Sequence, residues 1–208
     1  MVEIDLFGDT GECGPDCPSF LAKWVPWWEG QTARPVALLR SAGRGEYLGL
    51  VGPKGRNMVR KADRLYTFGE FSYNSQLDGI YAVNTSREHR QGKPMTPRYR
   101  VRPEPIRRHL ETCPGHRSSW WGAWDKASVE LRGYVNLVIL GDLGVVNTVL
   151  GHADAPAVMN GLFYELATKA PVRWIHYLTL ASSSSTLAGF KRRVGFSEHV
   201  IRTGVAAA

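Results

Sequence analysis

The alternation of apolar and polar positions is clearest in the last third of the chain. Gly133–Leu140 (GYVNLVIL) is an apolar run broken by one Asn, Gly141-Asp142 makes a turn, and Val145–Leu150 (VVNTVL) is a second short run. Their length and β-branched content predict two largely buried strands. Over 157–169, Val158, Leu162, Phe163 and Leu166 recur at helical spacing and predict a helix with one apolar face. Pro156 suits a helix start, because its missing N–H costs little there, and Asp154 suits the cap. Val172–Leu180 (VRWIHYLTL) predicts a further strand. Ser182–Ser185 then open a helix over Thr186–Arg193, closed by Val194-Gly195-Phe196. A strand whose loop feeds a helix N-terminus is a ready anion site, and the order occurs twice here.

Upstream, Val36–Arg40 and Tyr47–Val51 predict two short strands around the Gly43–Gly45 turn. The spacing predicts a helix over 54–64, with Arg56, Arg60, Lys61 and Arg64 on one face, and another over 77–84. Trp120–Trp124 and Val129–Leu140 read as antiparallel strands joined by the Asp125–Ser128 turn. Residues 1–35 are dense in turn formers. Residues 86–117 form a basic Pro/Arg-rich insertion whose prolines 94, 97, 103 and 105 forbid a long helix. The expected class is α/β (α+β): one domain over 1–208, with a central mixed, mostly antiparallel sheet flanked by helices.

Three stretches carry a family likeness. Leu187–Phe196 (LAGFKRRVGF) resembles the late motif of the GNAT N-acyltransferase superfamily: apolar, aromatic, basic residues, then Gly-Phe. Its Phe190-Lys191 pair is similar to the FemAB branch, whose members transfer amino acids from aminoacyl-tRNA. Gly55–Ala62 (GRNMVRKA) and Ile80–Pro94 (IYAVNTSREHRQGKP) are similar to further segments of that branch. The resemblance spans roughly residues 54–202. It implies a GNAT-like sheet, acyl transfer to an amine, acyl-CoA or aminoacyl-tRNA as donor, and a role for Lys191 beside the cleft. One stretch departs from the pattern. Leu150–Ala157 (LGHADAPA) has a single Gly, no basic side chain, and an Asp where a pyrophosphate would approach the backbone.

Charge adds a partner class. Residues 1–53 carry 4 basic and 7 acidic side chains, residues 54–117 carry 14 and 6, and residues 118–208 carry 8 and 6. The excess behind the net +7 sits in the middle third, which marks tRNA or DNA as partner, with Arg56, Arg60, Lys61, Arg64, Arg87 and Arg90 as contacts. A solvated basic surface accounts for the same counts. No apolar run approaches a membrane span, and the start has no basic leader, so no membrane partner and a cytoplasmic setting are expected.

The remaining candidates concern chemistry. His152 has a pKa suited to general-base work near neutrality, and Asp154 offers a carboxylate for the same task. Lys191 suits an oxyanion or a donor phosphate, and Ser184, Ser185 and Thr186 suit a phosphate at the helix start. Tyr164 and Tyr177 each offer a phenol, and Asn147 a polar group on a strand. Trp24, Trp27 and Trp28 make either a stacking platform or a core plug. Cys13, Cys17, Cys113 and His116 are either a structural Cys3His zinc site or three unligated thiols and a loop His. No Walker loop, nucleophile elbow or HExxH is present. The expected function is an N-acyltransferase with a nucleic-acid or tRNA substrate, extending to base modification in DNA. The rivals are a non-catalytic nucleic-acid-binding protein and an acetyl-CoA-dependent small-molecule acetyltransferase.

Overall fold

The computed structural model describes residues 2–4, 15–24, 34–90, 93–107, 112–180 and 184–203. The elements in chain order are β1 (Val2–Ile4), α1 (Cys17–Trp24), β2 (Arg34–Arg40), α2 (Arg44–Leu50), α3 (Pro53–Leu65), β3 (Tyr66–Phe71), α4 (Leu77–Thr85) and the hairpin β4 (His89–Arg90)/β5 (Lys93–Pro94). There follow β6 (His116–Asp125), β7 (Leu131–Leu140), β8 (Leu143–Gly151), α5 (Val158–Lys169), β9 (Trp174–His176), α6 (Ser185–Arg193) and β10 (Ser197–Thr203). Eight strands form one sheet in the order β1-β10-β2-β9-β8-β7-β6-β3. Among the described residues only β1/β10 and β8/β9 pair in parallel, so the mixed, mostly antiparallel sheet expected from the sequence is the one observed.

The strand alternation explains the layers. On one face Val135, Leu137 and Ile139 of β7 meet Leu162, Phe163 and Leu166 of α5, with α2, α3 and α6 beside them. On the other, Val138 and Leu140 meet Phe20 of α1 and Ile4 of β1, while Tyr134 meets Ile80 and Val83 of α4. Gly195 takes φ +94, as a residue just past a helix end does, and Phe196 N–H returns to Lys191 O at 3.0 Å. That turn drives the Phe196 ring against Phe163, centroids 5.3 Å apart.

Several expectations are corrected. Tyr47–Val51 is not a strand. It belongs to α2 and the turn after it, and Tyr47 is the one buried residue of that helix. Its hydroxyl donates to Val194 O at 3.0 Å, so tertiary anchoring overrides the β-branched look. Residues 1–35 hold β1 and α1 among the described residues, both drawn to the sheet by apolar contacts. Strand β9 is three residues, far shorter than 172–180, because its partner β8 leaves it after His176. Asp154 does not cap α5. Ala157 takes the cap position with φ +69, and Asp154 is exposed. Trp27, Trp28 and Cys13 lie outside the described residues, and Trp24 packs against the cluster around Phe20.

Helices α3 and α5 cross at Gly161. A Cβ there would overlap the Phe68 ring and lie 2.8 Å from the Ala62 Cβ. Gly161→Ala is expected to destabilise the fold by about 1–3 kcal/mol, read by urea unfolding. His176, buried in β9, has its pKa lowered to about 4, chiefly by burial. Between pH 6.5 and 4 the unfolded chain therefore binds the extra proton, and stability falls as pH falls through that window. His176→Gln is expected to flatten this acid limb in unfolding measured across the same range.

Candidate active site

The site is made by two strands parting. Parallel β8 and β9 pair only over Leu143–Val145 and Trp174–His176. Within β8 the register against β7 slips between Val146 and Thr148, so Asn147 is an extra residue. Such a bulge bends its strand and sharpens its twist. Beyond it β8 follows β7 to Gly151, while the chain after β9 stays with β2: Tyr177 N–H donates to Ala37 O at 3.0 Å and Ala37 N–H to Leu178 O at 2.8 Å. A wedge opens between them. Both lips carry a non-glycine residue with positive φ, Ala157 at +69 and Leu178 at +54. Strained backbone of this kind gathers at functional sites.

Parting leaves β8 with bare edge carbonyls, and two arginines take them. Arg90 Nη2 donates to Val149 O at 2.7 Å and Arg87 Nη2 to Gly151 O at 2.9 Å. Both come from the stretch expected to be a basic insertion, which folds back onto the wedge. A cavity of about 270 Å³ lies there, with the two arginines, His152, Val158, Tyr177 and Phe190 in its wall. Thr186 lines it too, and also lines a surface groove of about 530 Å³ with Ser185, Lys54, Arg192 and Arg193. Thr186 thus borders both the inner cavity and a basic surface groove between α3 and α6. The helices touch beside this groove: a Cβ on Gly55 would lie 2.6 Å from Arg193 O.

A second cavity, about 220 Å³, lies at Thr148 of β8 and is walled by Tyr73, Tyr99, Trp120 and Tyr134, with Asn84. The Tyr73 and Trp120 centroids are 4.6 Å apart. Tyr134 Oη donates to Asn84 Oδ1 at 2.6 Å, which leaves the Asn84 amide nitrogen as a donor. Burial raises the phenol pKa of both Tyr134 and Tyr177, and the Arg90 charge opposes the rise in both. Arg90 lines the first cavity, and its charge also reaches the Tyr134 phenol of the second.

His152 sits at the first cavity. Burial first, and Arg132 next, lower its pKa, so the ring is neutral at pH 7. Its Nδ1 accepts the Asp154 N–H at 3.2 Å, which puts the ring proton on Nε2. Lys191 is fully enclosed. Its Nζ donates to Thr179 O at 2.8 Å and lies 4.5 Å from the Tyr177 ring centroid, so it stands behind Tyr177 and not on the cavity wall. Ser184 caps α6, its Oγ accepting Leu187 N–H at 3.3 Å. Arg60, Lys61 and Arg64 are exposed on α3, whereas Arg56 turns inward to Val51 O at 2.8 Å. Asn147 is tied through Nδ2 to Asn136 Oδ1 at 2.8 Å, and Tyr164 packs edge-on against Tyr47.

The structure thus gathers Arg87, Arg90, His152, Thr186 and, one layer back, Lys191. It leaves Arg60, Lys61 and Arg64 on a separate surface. Sequence reasoning did not find the aromatic cavity. Its only trace was the Trp120/Trp121 neighbours on β6, which an alternating strand must send to opposite faces.

No family model and no curated protein matches the sequence. Solved structures do match in fold. FemX aligns with 79% of the chain at TM-score 0.57 and 10% identity. L-PGS from Bacillus licheniformis aligns with 88% at 0.50 and 11%. The C-terminal domain of a putative lysylphosphatidylglycerol synthetase from Agrobacterium fabrum aligns with 90% at 0.48 and 16%. The chain spans 59%, 63% and 64% of those three chains respectively. Proteins described as GNAT proteins are among the further matches, and the chain shares its fold with FemX and L-PGS.

Proposed function

We propose that the protein is an N-acyltransferase that takes an aminoacyl group from a charged tRNA and passes it to an amine on a nucleobase. The observation that carries this reading is the pair of arginines on the β8 edge. An extended arm bearing amides, such as that of CoA, would pair with a bare strand edge. Here Val149 O and Gly151 O are already taken by Arg90 and Arg87, which substitute positive charge for open backbone. The basic groove at Thr186 suits the phosphates of a polynucleotide end. The aromatic cavity is smaller than the usual range for drug-sized ligands, roughly 300–1,000 Å³, and suits a single planar ring system flipped out of its stack. The FemX-like fold and the Phe190-Lys191 pair agree with an aminoacyl donor.

The chemistry needs few groups. The acceptor nitrogen attacks the acyl carbonyl carbon, the carbon–oxygen bond to the donor's ribose breaks, and the proton lost by nitrogen ends on the departing oxygen. Arg90, in the wall of the first cavity, stabilises charge on the carbonyl oxygen. His152 offers Nε2–H to the departing oxygen. Lys191 is a positioning residue: it holds the Tyr177 ring that forms the cavity wall. Bringing two substrates together across one strand accounts for much of the acceleration expected of such a site.

Charged tRNA carrying labelled amino acids, incubated with the protein and either single-stranded DNA or uncharged tRNA, is expected to give label bound through an amide, stable to the mild alkali that strips esters. Arg90→Ala is expected to lower kcat/KM by about 10²-fold. Product from acetyl-CoA and none from charged tRNA would replace this reading with the CoA-dependent one. Polynucleotide binding without transfer from either donor would leave a binding protein. Lys191 gives a separate readout. Burial lowers its pKa to about 8 from 10.5, so between those values the unfolded chain holds more protons and stability rises with pH. Lys191→Met is expected to remove that rise relative to the parent in unfolding curves across this interval.

A further inference from the structure

At the far end of the β6–β7 hairpin from both cavities, three soft ligands meet. Cys17 Sγ, Cys113 Sγ and a ring nitrogen of His116 lie within 4.8 Å of one another, and all three residues are buried. Cys113 Sγ is 3.3 Å from His116 Nδ1. Zinc–sulfur bonds of about 2.3 Å and zinc–nitrogen bonds of about 2.0–2.1 Å in a tetrahedron set ligand atoms about 3.5–3.8 Å apart, so the group closes on an ion with small shifts.

The backbone prepares this geometry. Cys113-Pro-Gly-His116 is a tight turn in which His116 N–H donates to Cys113 O at 3.0 Å, and Gly115 O accepts Gly141 N–H at 2.8 Å. Both ligands of the turn are thereby fixed to the sheet. Cys17 is the first residue of α1, and its Sγ joins the two ligands of the turn. Two thiols and an imidazole brought together in a dry place, from stretches far apart in sequence, gain little as a packing cluster. As deprotonated ligands they gain a great deal from one cation.

We propose that Cys17, Cys113 and His116 bind one zinc ion, with the fourth tetrahedral position left to a further ligand, and that the ion pins α1 to the sheet. Tetrahedral thiolate–imidazole sets favour zinc over harder metals. The site is structural: His116 lies four residues along β6 from Trp120, the nearest β6 residue in the aromatic cavity wall, about 13 Å at strand rise. Its role is to hold Phe20 of α1 against Leu38 and Leu140.

The full-length protein, purified without added metal, is expected to carry about one zinc per chain by elemental mass spectrometry. Cys17→Ser and Cys113→Ser are each expected to cut that content at least about tenfold. Chelation is expected to lower the melting temperature by roughly 10 °C or more, reversed by zinc and not by magnesium. If the variants do not fold, cobalt(II) added to the chelated parent serves instead: thiolate-to-cobalt charge-transfer absorption supports the site. Absence of both zinc and that absorption overturns it, as does an intact mass showing a Cys17–Cys113 disulfide.

Discussion

The structure depends on one backbone constraint: a strand that stops pairing must find partners elsewhere for its peptide groups. When β8 leaves β9 after Val145, the peptide groups freed on each side need new partners. On the β9 side Tyr177 and Leu178 exchange hydrogen bonds with Ala37 of β2. On the β8 side two carbonyls turn to guanidinium groups. The bulge at Asn147 makes the parting possible, because an extra residue lets β8 bend while its neighbours stay in register with β7. The wedge is thus a stable defect in the sheet, and the cavity follows from it.

How the defect is repaired decides what enters. Had the freed carbonyls been left open, the edge would suit any ligand able to imitate a strand. Arginine leaves further N–H donors on each fork after one has been used, so the repair also creates a cationic wall. Behind that wall, a fully buried lysine is tolerated because Thr179 O and the Tyr177 ring receive its charge. It fixes an aromatic side chain whose hydroxyl end Arg90 also reaches.

The sequence made legible what local pattern dictates. Strands β6, β7 and β8 and helices α3, α4, α5 and α6 show clean periodicity, and the Gly195-Phe196 turn is read directly from the glycine at a helix end. The failures are equally local. Helix α2 buries only Tyr47, too little to print a helical stripe, and β9 is short because a strand elsewhere bends. Arg87 and Arg90 were found as basic residues, but their inward direction follows from the parting of two strands that no nearby residue announces. The aromatic cavity draws on α4, β6, β7 and the segments beside them, and none of its members is unusual in its own neighbourhood. Cys17, Cys113 and His116 are the opposite case: residue type and short spacing pointed to one another across most of the chain, and the fold brought these three together.

Arg90 lines the first chamber, and its charge is felt by a tyrosine in each. An anion arriving on one side draws on a field that the other side also uses. Any coupling that passes through this field is reciprocal: whatever the first occupant does to the grip on the second, the second does in equal measure to the grip on the first.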